Sequence, residues 1–129
     1  FINDQSEIIL INSYGEVPKY LKYCNSVFIG KSMIKKLKTT GGQNPIEAAK
    51  LGCKIYHGPY VYNFKEVYDF LKSYNISETI HNDVELSEKI KTDLTFNSSI
   101  KDKKRGMIEN LGKKILENTF DELVKVANK

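Results

Sequence analysis

The stretch GGQNPIEAAKLGCKIYHGP, residues 41–59, holds a helix start, a helix stop and a strand in immediate succession. Gly41 and Gly42 free the backbone ahead of the helix. Asn44 is a capping residue, and Pro45 suits the first helical position, where its missing N–H costs nothing. Glu47 follows Asn44 at the spacing of a capping box. These signals predict a helix over about 45–51, with Ile46, Ala49 and Cys53 near one face and Gly52 as its stop. KIYHG (54–58) then reads as a strand.

The same alternation extends outward from this unit. IILIN (8–12) is a short Ile-rich run that predicts a buried strand. VPKYLKYC (17–24) has a helical apolar period, and SVFIG (26–30) is a second β-branched run. Residues 31–43 form a Lys-rich loop. GPYVYN reads as a loop, and 63–74 as a helix with Phe64, Val67, Tyr68 and Leu71 on one stripe. ISETIH (76–81) is a weaker strand, followed by a helix capped by Asn82 or Asp83 and carrying Val84, Leu86 and Ile90. From about Ser98 the chain reads as a C-terminal helical segment, 98–129, with a break near Asn118.

Short apolar strands alternating with helices imply a parallel sheet covered by helices on both faces, an α/β Rossmann-like domain spanning 1–129. Right-handed crossovers place the C-terminal ends of all strands on one edge, where open α/β sheets bind ligands. The loops expected there are 13–16, 30–44, 58–63 and 81–83. The Gly-Gly-Gln-Asn-Pro turn belongs to the second of them.

At such an edge Gly41 and Gly42 allow close backbone approach, and amides behind Asn44 point toward any phosphate. Glu47 is an acceptor-only carboxylate, suited to paired hydroxyls such as a ribose diol. Phosphate plus diol describes a nucleotide. The same residues also describe a well-capped helix with a solvated Glu, and spacing alone leaves both readings open. Gly15-Glu16-Val17 is a second Gly-led turn with the same two readings. Tyr60 and Tyr62 could stack on a base, but packing is the expectation for both. GxGxxG and GxxxxGK[ST] are both absent, as are a Ser-His-Asp set and a metal-ligand cluster.

The chain has 129 residues, one domain of common size, and a formal charge of +4, too weak alone to argue for nucleic acid. KSMIKKLK (31–38) and KDKKR (101–105) are basic patches, either solvated faces or contacts for an anionic surface or ligand. Cys24 and Cys53 form no CxxC and sit in apolar surroundings, as buried free thiols. His57 and His81 each end an apolar run and read as structural. No apolar run approaches the ~20 residues of a membrane span, and the start lacks the order of a signal peptide. The chain opens without Met, almost directly on a strand, as expected of a piece of a longer protein.

INSYGEVPKYLKYCNSVFIG followed by GGQNPIEAAKLGCKIYHGPYVYNF resembles the C-terminal domain of bacterial 3-deoxy-D-manno-octulosonic acid (Kdo) transferases, which act in lipopolysaccharide synthesis. The corresponding family runs are DTxGEL, FVGGS, GGHNxLEPA and GPxxxNF, and the similarity covers about residues 8–66. The resemblance implies a GT-B glycosyltransferase, with two Rossmann-like domains across a cleft. The C-terminal domain would hold the donor CMP-Kdo. The N-terminal domain, outside this chain, would hold the lipid A precursor and the catalytic base, so the chain itself carries no catalytic residue. By carry-over, Glu47 would bind the ribose hydroxyls. Asn44, Gly42 and the Gly15–Val17 turn, Glu16 included, would meet the ribose–phosphate region, and Asn63 would shape the crevice wall. Such enzymes transfer Kdo with inversion, use no metal or cofactor, and work at the cytoplasmic face of the bacterial inner membrane. No nucleic acid partner is implied.

The sequence departs from the family pattern at three places. Lys31 replaces the second Gly of FVGGS, the 31–40 loop is longer, and the Pro of LEPA is absent from Glu47-Ala48-Ala49. Two strand–helix units would precede IILIN in a full donor domain, so this chain is expected to bind CMP weakly and not to catalyse transfer. The alternatives are another GT-B nucleotide-sugar domain and a non-catalytic receiver-like regulatory domain. A receiver needs an Asp where His57 stands, which counts against it.

Overall fold

The computed structural model describes residues 5, 7–95 and 98–127. Its centre is a three-stranded parallel sheet in the order β1 (Ser26–Ile29), β2 (Lys54–His57), β3 (Ser77–Thr79). Val27 lies opposite Ile55, which lies opposite Ser77. Each connection crosses over through a helix, as parallel strands require. α2 (Ile46–Lys50) lies between β1 and β2, and α3 (Lys65–Ser73) between β2 and β3. α1 (Val17–Leu21) precedes the sheet, while α4 (Asp83–Asp93) and α5 (Ser98–Ala127) follow it.

Strand alternation sends β2 side chains to opposite faces. On one face the His57 ring lies 4.3 Å from the Tyr68 ring of α3, and Ile55 is fully buried. On the other, the Tyr56 hydroxyl donates to the Asp93 carboxylate of α4 at 2.6 Å. Helices therefore cover both faces, as expected from the alternation of elements. The core gathers Cys53, Ile55, Tyr68, Leu71, Ile76, Ala48, Ala49 and Leu21. Tyr68 and Leu71 carry the apolar stripe read from the sequence of α3. Neither cysteine is in a disulfide; Cys53 is fully buried, whereas Cys24 is half-buried rather than buried as expected. Asn82, not Asp83, caps α4: its side chain accepts the Glu85 N–H at 2.8 Å, and Glu85 reaches back to the His81 N–H at 2.9 Å.

Two sequence expectations are corrected. Residues 8–12 form no strand. Ile8 and Leu10 are each 89% exposed, and no described residue pairs with this backbone. A run apolar on both faces needs a ladder partner and cover on each side, and β propensity supplies neither. The break near Asn118 is also absent, since α5 runs unbroken from Ser98 to Ala127, about 45 Å at 1.5 Å per residue. The segment contains no Pro, and one interior Asn costs only about 0.5–0.7 kcal/mol of propensity. α5 packs against α2, with Met107 and Ile108 against the core.

Candidate crevice at the C-terminal edge of the sheet

β1, β2 and β3 deliver the loops 30–45, 58–64 and 80–82 to one edge. The first two are stitched together by a buried serine. Ser32 Oγ donates to Ile29 O at 2.6 Å and accepts the Gly58 N–H at 2.8 Å, while Ser32 O accepts the Tyr60 N–H at 2.8 Å. Lys31, just before it, has φ +59°, in the left-handed region. The backbone thus keeps a glycine-like path although a Lys stands there, a conformation that costs a side-chain-bearing residue roughly 1–2 kcal/mol.

Gly41 and Gly42 face protein here. A Cβ on Gly41 would lie 2.7 Å from Lys31 O and 2.8 Å from Tyr60 O. At Gly42, whose φ is +91°, it would lie 2.9 Å from the Val61 Cα. Both glycines are buried, and they let loop 31–44 close onto loop 58–63. Asn63 completes the seam: its side-chain amide donates to Thr40 O at 2.9 Å and its N–H to Gly41 O at 3.4 Å. Tyr68 adds a hydroxyl bond to Gln43 O at 2.7 Å. Asn63 thus fastens loop 58–63 to loop 31–44.

The helix start differs in detail from a capping box. Asn44 Oδ1 accepts the Ile46 N–H at 3.0 Å, an Asx turn over the buried Pro45. The first backbone bond of the helix runs from Ala49 N to Pro45 O at 3.0 Å, so the Glu47 and Ala48 amides precede the ladder. The reciprocal bond from Glu47 is not made. Its side chain is exposed and forms no hydrogen bond or ion pair with any described residue.

The Gly15–Val17 turn leads into α1, which packs against α2. Gly15 has φ +76° and open space where a Cβ would stand. Glu16 accepts from Ser13 Oγ at 2.5 Å and pairs with Lys19 at 3.2 Å, which together hold its carboxyl below the usual range. Val17 is exposed. Because 8–12 is not a strand, the turn is placed through α1, which packs on α2 and buries Leu21 in the core.

His57 is structural, buried at 4% exposure. Its Nδ1–H donates to Gly58 O at 2.7 Å, Nε2 has no partner, and burial pushes its pKa down. Tyr60 is half-buried, whereas Tyr62 is 67% exposed beside Asn63, free to stack rather than pack. Among the described residues no cluster of His, Cys, Asp or Glu could hold a metal. An apolar cavity of about 610 Å³ lies elsewhere, between α2, α3 and α5, and none of the expected site residues lines it.

Sequence reasoning missed Ser32 and the left-handed Lys31. FIGKS was the available signal, but nothing in it says that the serine is the clamp. No protein-family model, curated protein or solved structure matches the chain.

Proposed function

We propose that this chain is the CMP-sugar-binding part of a Kdo transferase, an inverting GT-B glycosyltransferase of lipopolysaccharide synthesis. The observation that carries the reading is Glu47. It is an exposed, unpartnered carboxylate at a helix start on the C-terminal edge of a parallel sheet, the edge where such sheets take ligands. A ribose diol supplies the two donors that this carboxylate lacks. The Glu47 amide, ahead of the helix ladder, lies beside it for a phosphate. α2 is only five residues long, so this local N–H group, rather than a helix dipole, would do the binding.

In this reading the phosphate of the CMP leaving group gains charge as the glycosidic bond breaks. Fixed amide donors stabilise that state more than the ground state. The base and the lipid A precursor belong to a further domain, at the cytoplasmic face of the inner membrane. The exposed 8–12 segment fits the same scheme. In the doubly wound order 3-2-1-4-5-6 the third strand pairs with the second and not with the fourth. If 8–12 is that third strand and β1 the fourth, the two are not neighbours.

The test is an amide chemical-shift titration with CMP. Shifts at Gly15, Asn44 and Glu47 are expected. Shifts confined to Lys35–Lys38 and 101–105, or none at all, would overturn the reading.

A further inference from the structure

From Val17 to Ile46 the chain carries six lysines and no acidic residue. Four of them, Lys31, Lys35, Lys36 and Lys38, lie on the loop that follows β1. All four are exposed, and none pairs with a described acid. Between them stand two apolar side chains, Met33 and Ile34, 37% and 52% exposed.

This loop is held firmly at both ends. Ser32 is fully buried and anchors one end through Ile29, Gly58 and Tyr60. Thr40 and Gly41, bonded to Asn63, anchor the other. Lys35–Leu37 forms a 3₁₀ turn between these anchors. The fold thus orders the segment while leaving Ile34 and the lysines outside, an arrangement with no benefit to the core.

We propose that loop 31–40 is a docking surface for an anionic phospholipid bilayer. Its lysines meet headgroup phosphates and Ile34, with Met33, enters the interface. Clustered lysines beside apolar side chains are the pattern of interfacial attachment. Charge complementarity alone would also admit nucleic acid. The apolar pair and the absence of Arg from the loop favour lipid, because nucleic-acid contact is typically built from Arg and stacking aromatics. This inference stands independently of CMP binding.

The experiment is sedimentation of the chain with vesicles, either phosphatidylcholine alone or equal parts phosphatidylglycerol and phosphatidylcholine. Binding to the anionic vesicles alone, weakened by salt, is expected. The K35E/K36E double variant should lower the partition coefficient by at least about 25-fold, at roughly fivefold per lysine. Ile34→Ser, which keeps every charge, should lower it by about fivefold. Lys103→Glu, on α5, should change it by less than about twofold. Circular dichroism verifies that each variant is folded. Equal losses for Lys103 and the loop lysines, no loss for Ile34→Ser, or tighter binding to duplex DNA than to vesicles would each overturn the proposal.

Discussion

Ser32 and Gly58 lie in the loops after adjacent strands, and the Gly58 N–H donates to Ser32 Oγ at 2.8 Å inside the protein. A Cβ on Gly58 would sit 2.2 Å from Ser32 O. The two residues approach so closely that one must be a glycine and the other a small hydroxyl.

Ser32→Ala leaves the buried Gly58 N–H without its acceptor and should lower unfolding free energy by about 1–3 kcal/mol. Gly58→Ala forces a backbone clash and should cost at least as much. Urea denaturation with both variants checks this. A loss below about 0.5 kcal/mol for each would show that the loops are not clamped here.

Lys31 carries its strain without an evident structural return. Lys31→Gly removes roughly 1–2 kcal/mol of left-handed strain but adds about 0.4–1 kcal/mol of unfolded-chain entropy. The expected result is a net stabilisation of between zero and about 1.6 kcal/mol, seen as a higher Tm. Asn75, at φ +56°, should gain less from the same change, because Asn tolerates this region.

Glu47→Gln should leave stability within about 0.5 kcal/mol, since the side chain is exposed and makes no hydrogen bond or ion pair with a described residue. On the proposed function it should weaken CMP binding by about tenfold, the loss of a charge-assisted hydrogen bond. Calorimetry with CMP and with cytidine 5′-phosphate lacking the ribose hydroxyls separates the diol contact from the phosphate contact. Equal losses for the two ligands would place Glu47 away from the sugar.

His57 makes stability depend on pH. Burial lowers its folded-state pKa, with Lys72 adding to the effect and the Gly58 bond and Asp69 opposing it. The unfolded chain, near 6.5, then binds the proton first, so stability rises with pH in this range. The contribution is complete above about pH 6.5 and declines as pH falls toward the folded pKa, by at most about 1.4 kcal/mol per unit. His57→Phe should flatten urea midpoints between pH 7.5 and the carboxylate range, to within measurement, by about that slope. Glu16 and Glu78, held low by their Ser and Lys partners, act only below the usual carboxylate pKa.

Residues 8–12 should exchange amide hydrogens at nearly unfolded-chain rates, while Ile55 and Tyr56 remain protected. Protection of 8–12 equal to that of β2 would restore the strand expected from its sequence.

Sequence alone determined the elements that are locally decided. Gly52 and Pro45 bound α2, the apolar stripe of α3 is periodic, a cap at Asn82 or Asp83 opens α4, and alternation of strand and helix dictates a parallel sheet with helices on both faces. These follow from backbone dihedrals and from side-chain period, which act over a few residues. Tertiary structure decided what needs a partner. Residues 8–12 have strand composition but no ladder, so they stay unpaired. Gly41 and Gly42 are free to face a ligand in sequence, yet they face Lys31 O, Tyr60 O and Val61. Ser32 becomes the clamp only because β1 and β2 lie side by side in register, which brings together two residues that the chain holds 26 positions apart.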